Sequence, residues 1–372
     1  VRLSEVGFDP TETDTKIRCN LWGGWPTKPV EGECTYLLDL LEYLCSAEPE
    51  REAVFDWVLK WLAYPIQHPG AKMRTALVFH GPQGVGKNMV FEAVMEIYGE
   101  YGRIVDQAAI EDKFNDWMSR RLFMVCDEVV ARQELFHLKN KLKALVTGDS
   151  IRINPKNVTP HDEKNHVNLV FLSNEKQPLV LERDDRRYTV VWVPDSLPMD
   201  VYVEAGKERR NGGVEALYHH LLNLDLGDFQ PWTPPPMTRA KMDLIEVGLE
   251  SSERFLNEWR DGELDWPFVP CASMDLYQAY QRWARSNGVA RPRESNHFLA
   301  LIKKTKGWHL GPKHVFRHGR SGDTRTQKMV IPCPTQLEAA GTARKPDESQ
   351  AYYLTQCLEQ FKEALDGIDF GS

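Results

Sequence analysis

The sequence has no apolar run approaching the ~18 residues of a membrane-spanning helix. Its strongest run, Thr75 to Phe79, has the length of a buried strand, so no membrane partner is expected. Cysteine is sparse: seven residues, odd in number and never spaced C-x-x-C. That scatter excludes a disulfide framework, argues against a zinc cluster, and suits a reducing, cytoplasmic compartment. The start, Val1-Arg2-Leu3-Ser4, lacks an apolar signal region and an initiator Met, and reads as a piece of a longer protein. No internal repeat is visible. There is also no Asp-x-Asp pair of the kind that two-metal nucleotidyl transfer uses. What remains is a chain of 372 residues, 42% hydrophobic and 27% charged, long enough for two or three domains.

The net charge of −8 conceals a division. Between Arg282 and Lys328 twelve Lys and Arg face only Glu294 and Asp323, a local net of +10 that leaves −18 for the rest. A basic segment in an acidic chain points to a polyanion for that segment, the other reading being a solvated basic face. Lys303 and Lys304 are its candidate DNA contacts.

Along the chain, an apolar helix is expected around Tyr36 to Leu44. An amphipathic one spans Arg51 to Ala63 and is ended by Pro65 and Pro69. From Thr75 to Val193 apolar runs alternate with helical stretches, the pattern of an α/β domain, with strands at Thr75–His80, Leu122–Cys126, Val167–Leu172 and Tyr188–Val193. A helical patch from Gly213 to Leu224 precedes the stiff Pro231-Trp232-Thr233-Pro234-Pro235-Pro236 connector. Three helices (Ser252–Trp259, Met274–Asn287, Glu294–Lys304) and a basic hairpin from Trp308 to Ile331 fit a winged-helix-like module. The expected division is 1–70, an extended and helical region; 71–230, the α/β core; 231–250, a linker; 251–332, the basic module; and 333–372, a tail with one helix.

The sharpest local pattern is Gly81-Pro82-Gln83-Gly84-Val85-Gly86-Lys87-Asn88, between a strand and a helical stretch. In a P-loop the glycines let backbone N–H groups turn onto a β-phosphate, and the helix N-terminus adds positive potential. Lys87 would reach the β- and γ-phosphates. The usual hydroxyl ligand of Mg²⁺ is replaced by Asn88, whose side-chain carbonyl can also ligate the metal. Alternatively, such a string is a Gly-rich turn capping a helix. Forty residues on, the strand Leu122 to Cys126 runs into Asp127 and Glu128, which are assigned to holding Mg²⁺ and to orienting the attacking water. A third strand ends in Ser173-Asn174, where Asn174 suits a sensor of the γ-phosphate. Arg186 and Arg187 precede the fourth strand and suit reaching a neighbouring subunit's γ-phosphate; the plainer alternative pairs an arginine with Asp184 or Asp185. Ile151-Arg152-Ile153-Asn154 alternates like a strand and Val167 begins its return. Lys156, His161 and Lys164 lie in the projecting connection between them. Lys156 and Lys164 are thereby candidate contacts to the phosphates of single-stranded DNA.

The order of these motifs, with Leu142 to Asp149 and Ile153-Asn154-Pro155-Lys156 between them, resembles the superfamily 3 helicases, in particular their phage and plasmid primase-helicase branch. The similarity covers roughly Gly7 to Val193, including Asn20-Leu21-Trp22-Gly23-Gly24-Trp25, and the stretch from Asp275 to Gly288 is similar to the tail module of those proteins. The resemblance implies an AAA+-like P-loop core, ATP and Mg²⁺ as cofactors, a homo-oligomeric ring that is usually a hexamer, and 3′ to 5′ translocation on single-stranded DNA. It also implies the roles assigned to Lys87, Asp127, Glu128 and Asn174, an arginine of the 186–187 pair at the subunit interface, and Lys156 at the hairpin tip in the ring channel. The expected function is an ATP-dependent DNA helicase of a mobile element's replication protein, acting on single-stranded and forked DNA, with an upstream priming or polymerase domain. Two alternatives stand beside it: a loader that remodels DNA without processive unwinding, and a degenerate P-loop scaffold.

Overall fold

In the computed structural model the described residues are 5–128, 136–179, 181–182, 184–248, 250–289, 292–317 and 324–367. They divide into two compact units, meeting in sequence between residues 248 and 249.

The first unit begins with a short parallel pair, β1 (Val6–Gly7) and β2 (Cys19–Asn20), then α1 (Thr35–Leu44) and α2 (Arg51–Gln67). The alternating region follows: β3 (Ala76–His80), α3 (Lys87–Tyr98), β4 (Gly102–Val105), α4 (Gln107–Glu111), β5 (Phe123–Cys126) and α5 (Phe136–Thr147). A ribbon of β6 (Ser150–Ile153) and β7 (His161–Lys164) leads to β8 (Asn168–Ser173) and β9 (Tyr188–Trp192). Helices α6 (Met199–Glu208), α7 (Val214–Asn223) and α8 (Arg239–Gly248) complete the unit. The main sheet has the order β4-β5-β8-β3-β9 and every pairing in it is parallel. Both faces are covered, so β3, β5 and β8 are buried at every position and are mostly apolar, with polar residues only at their ends. Leu77 and Phe79 pack with α3 on one face; Ala76 and Val78 pack with Ala240 and Leu244 of α8 on the other. The carboxyl ends of β3, β5 and β8 therefore open side by side.

The four expected strands are present within a residue or two. Other boundaries move. Helix α2 runs through Pro65 to Gln67, because a proline in the last turn removes one hydrogen bond while Pro65 and Ile66 are buried in the core. The second half of the expected 231–250 linker is α8, held by the burial of Ala240 and Leu244. The return strand of the hairpin starts at His161, not Val167, with Ser150 opposite Lys164 and Ile153 opposite His161.

The second unit contains α9 (Ser251–Arg260), β10 (Cys271–Ala272), α10 (Ser273–Ser286), α11 (Ser295–Lys304), β11 (His309–Arg317), β12 (Thr324–Ile331), α12 (Pro334–Ala339) and α13 (Gln350–Gly367). Its strands form an antiparallel sheet of order β10-β12-β11. The three expected helices and the hairpin are there, and the tail is not separate from them. Phe361 of α13 is buried against Trp259, with ring centroids 5.8 Å apart, and Trp259 also meets Phe268 and Trp308. Truncating a core aromatic of this kind costs about 3–5 kcal/mol, so α13 is part of what holds the unit together.

Candidate functional site

The turn between β3 and α3 is shaped by two close approaches. Gly81, at φ +132°, has the backbone of Val193 3.1 Å from where a Cβ would stand. Gly86, at φ +90°, precedes α3 in the left-handed region, with Leu40 and Tyr202 against it. Gln83 and Gly84 form the exposed crest. Beneath them Lys87 is buried, and its ammonium donates to the Gly81 carbonyl at 3.2 Å, the Pro82 carbonyl at 2.7 Å and Asn174 Oδ1 at 3.1 Å. The tips of β3 and β8 thus meet at one charge.

Asn88 reaches the tip of β5: its amide donates to Asp127 Oδ2 at 2.6 Å. The amide carbonyl of Asn88 and the second oxygen of Asp127 remain as oxygen ligands for a hard cation, the donor chemistry Mg²⁺ takes. Asp127 Oδ1 accepts the Glu128 N–H at 2.9 Å. Glu128 is exposed at φ +54°, a left-handed conformation for a residue with a side chain, which turns it off the strand. It shares an open cleft of about 480 Å³ with Asn174, Ser173 and residues at both ends of α4, the N-cap Asp106 and the last residue Glu111. A buried ammonium satisfied only by carbonyl and amide oxygens, beside two carboxylates on an adjacent strand tip, is equipped to take an anion and a divalent cation together.

Burial pulls the Lys87 pKa down to about 8, against the opposing pull of Asp127. Its ammonium is charged below that value and neutral above it, so affinity for an anion in the turn falls as pH rises through 8. With the bound anion holding the proton on, binding of a polyphosphate anion in the turn would weaken about tenfold between pH 7 and pH 9. Titration of a non-hydrolysable ATP analogue at the two pH values checks this; a flat profile would mean that Lys87 does not meet the phosphates.

The remaining expected residues fall in three places. Lys156 is exposed at the tip of the β6–β7 ribbon, beside Asn157 at φ +60° and the exposed Val158. Lys164 is not with it: it lies at the ribbon's base opposite Ser150. The residues His161 to Lys164 form a strand despite their polarity because the ribbon has few buried positions to fill. It is held by cross-strand contacts such as Arg152–Asp162 at 3.9 Å and by Ser119 Oγ donating to Glu163 at 2.7 Å. Ahead of β9 the two arginines separate. Arg187 is tied to the buried Asp185, its guanidinium 3.0 Å from Oδ2 and its N–H 2.8 Å from Oδ1. Burial pulls down the pKa of Lys241 of α8, itself buried, against the opposing pull of the same Asp185. Arg186 is exposed. In the second unit Lys303 and Lys304 are exposed on the last turn of α11, where they also complement the helix dipole. Arg282 and Arg293 of the basic segment are engaged internally, by the Leu365 carbonyl and by Glu250.

Sequence reasoning passed over two groups near the site. His80, the last residue of β3, is buried with Nδ1 3.1 Å from the Glu175 carbonyl oxygen. Glu48 is buried and accepts from the Arg239 N–H at 2.8 Å and from those of Trp192 and Ala240 at 3.4 Å. Only His80 carried a signal, as a titratable residue inside an otherwise apolar strand.

Residues 79–187 match the profile of a family of unknown function, DUF5906. The chain is 31% identical over 169 residues to the DNA primase-polymerase of Nitratiruptor phage NrS-1, an alignment covering 44% of this chain and 23% of that protein. The chain thus spans about a quarter of that relative's length. Among solved structures, the apo structure of the NrS-1 C-terminal region superposes with a TM-score of 0.66 at 18% identity, over 88% of this chain and 84% of that one. Its A form gives the same score and coverage at 19% identity. The chain is homologous to part of a phage primase-polymerase and has the mixed α/β fold, with a parallel sheet, of that protein's C-terminal region.

Proposed function

We propose that this chain is the ATP-driven helicase part of a phage-type replication protein, related to the superfamily 3 helicases and working as a ring on single-stranded and forked DNA. One observation carries the reading: three parallel strand tips come together at the glycine turn, with Lys87 under it, Asn174 on the Lys87 ammonium, and Asn88 bonded to Asp127, which Glu128 follows. The strand order, with its P-loop strand between β8 and β9, supports an AAA+-like core. The homologous phage protein is named a DNA primase-polymerase, which supports a role in replication and a priming or polymerase partner domain.

In this reading the 81–86 turn and α3 bind the triphosphate, Lys87 neutralises its β- and γ-phosphates, and Asn174 reports the γ-phosphate to the loop after β8. Mg²⁺ supplies charge neutralisation on the phosphates when bound, and Asn88 and Asp127 are the residues that would hold it. Glu128 orients the attacking water from the exposed strand end. Lys156, carried at a ribbon tip, grips the DNA backbone; in a ring six such tips form a positive collar without reading bases. The second unit's order of helix, strand, two helices and antiparallel hairpin supports a winged helix, with α11 and the basic hairpin toward duplex or fork DNA.

The test is steady-state ATP hydrolysis in Mg²⁺ buffer with and without single-stranded DNA, with the mass of the complex measured in parallel. Turnover stimulated by DNA in a species several times 42.8 kDa is expected. No turnover would favour a scaffold, and a monomer under turnover conditions would overturn the ring. For the second unit, Lys303→Glu with Lys304→Glu is expected to weaken DNA binding and to flatten the slope of log K against log salt by about one to two units. An unchanged slope would mean those lysines face away from the DNA.

A further inference from the structure

On the α8 face of the sheet a second cavity, of about 420 Å³, lies beside the candidate site, and none of residues 81–88 lines it. Its walls come from the ends of β3 and β9, the start of α8 and the loop after Asn174. Its size is within the range of small-ligand sites. His80 and Trp192 meet there edge to face, ring centroids 5.0 Å apart at 86°. The Glu175 oxygen facing His80 Nδ1 is a carbonyl, an acceptor only, so Nδ1 carries the proton. The neutral ring, which burial favours, then presents Nε2 as an acceptor, and that atom is buried without a hydrogen-bond partner among the described residues. A buried polar atom left so is costly unless something donates to it. The Glu48 carboxylate cannot: it is an acceptor, and it already takes three backbone N–H groups. Exposed Lys176 and Arg239 stand on the rim with Asp243.

We propose that this cavity binds a nucleoside monophosphate unit. Its amino-bearing base lies against Trp192 and donates to His80 Nε2, and its phosphate meets Lys176 and Arg239. The unit is either a free nucleotide or one residue of a DNA strand; the recognising chemistry is the same. A monophosphate is the discriminating probe because a P-loop holds chiefly the β-phosphate, which dAMP lacks.

Calorimetric titration of dAMP into the full chain tests the site. Equal binding to the wild type and to Lys87→Ala is expected, at least tenfold weaker binding to Lys176→Glu with Arg239→Glu, and weaker binding of dTMP, which has no amino group. The rim substitutions are on exposed side chains, so they keep the fold, and they leave basal ATP hydrolysis unchanged. His80→Phe, which keeps the ring and removes the acceptor, is expected to lower dAMP affinity as well. Displacement of dAMP by a short oligo-dA identifies a strand residue as the source, and no displacement identifies the free nucleotide. Binding lost in Lys87→Ala but kept in the rim variant would put the nucleotide in the 81–88 turn, overturning the second site while leaving the proposed ATPase intact. No dAMP binding to the wild type at millimolar concentration would overturn it outright.

Discussion

Lys87→Ala is expected to lower the rate of ATP hydrolysis by at least ~10²–10³ and to stop strand separation on a forked duplex. Among the described residues the ammonium is the positive group under the glycine turn, and it is held by oxygens: the Gly81 and Pro82 carbonyls and Asn174 Oδ1. A phosphate arriving there exchanges weak dipole partners for a full negative charge, and that exchange is lost with the side chain. The substitution removes a buried charge rather than stranding one, so the fold should survive and melting should stay near the wild type. A variant that separates strands at the wild-type rate would refute the helicase reading.

The second large effect is expected at Arg186. Removing an arginine that serves a neighbour's γ-phosphate reduces turnover by ~10³–10⁵ while leaving ATP affinity nearly as it was. Arg187 is the poorer candidate because its guanidinium already has a buried partner in Asp185. Arg187→Ala should therefore act mainly on stability, by about 1–3 kcal/mol for the anion it strands. Comparing kcat, ATP affinity and melting temperature of Arg186→Ala and Arg187→Ala separates the two. Wild-type kcat in both would end the case for a finger acting across subunits, and a kcat loss confined to Arg187→Ala would exchange the roles.

The central strands were readable because helices cover both their faces, which leaves apolar runs with no competing pattern. Strand β4 was not, since four residues at the sheet's edge include the exposed Arg103 and Ile104. The polar His161–Lys164 strand escaped notice for the same reason: with little to bury, it has no alternation to detect. The glycine turn and the carboxylates after β5 announce themselves by composition and order. The bond between Asn88 and Asp127 does not, because it joins residues 39 apart whose meeting depends on the register of β3, β8 and β5. The choice between two adjacent arginines likewise turns on the burial of Asp185, a property of the packed segment and not of the letters.

The outermost strand of the parallel sheet on the α8 side, β9, has its backbone engaged by side chains: the Trp192 N–H by Glu48 and the Val190 carbonyl by Thr238. Two of the polar groups that a foreign strand would need are already spoken for. Copies of this chain are thereby hindered from zippering together along that margin as amyloid-type stacks do. Any assembly they form across that border must be written in side chains, and so stays open to adjustment one residue at a time.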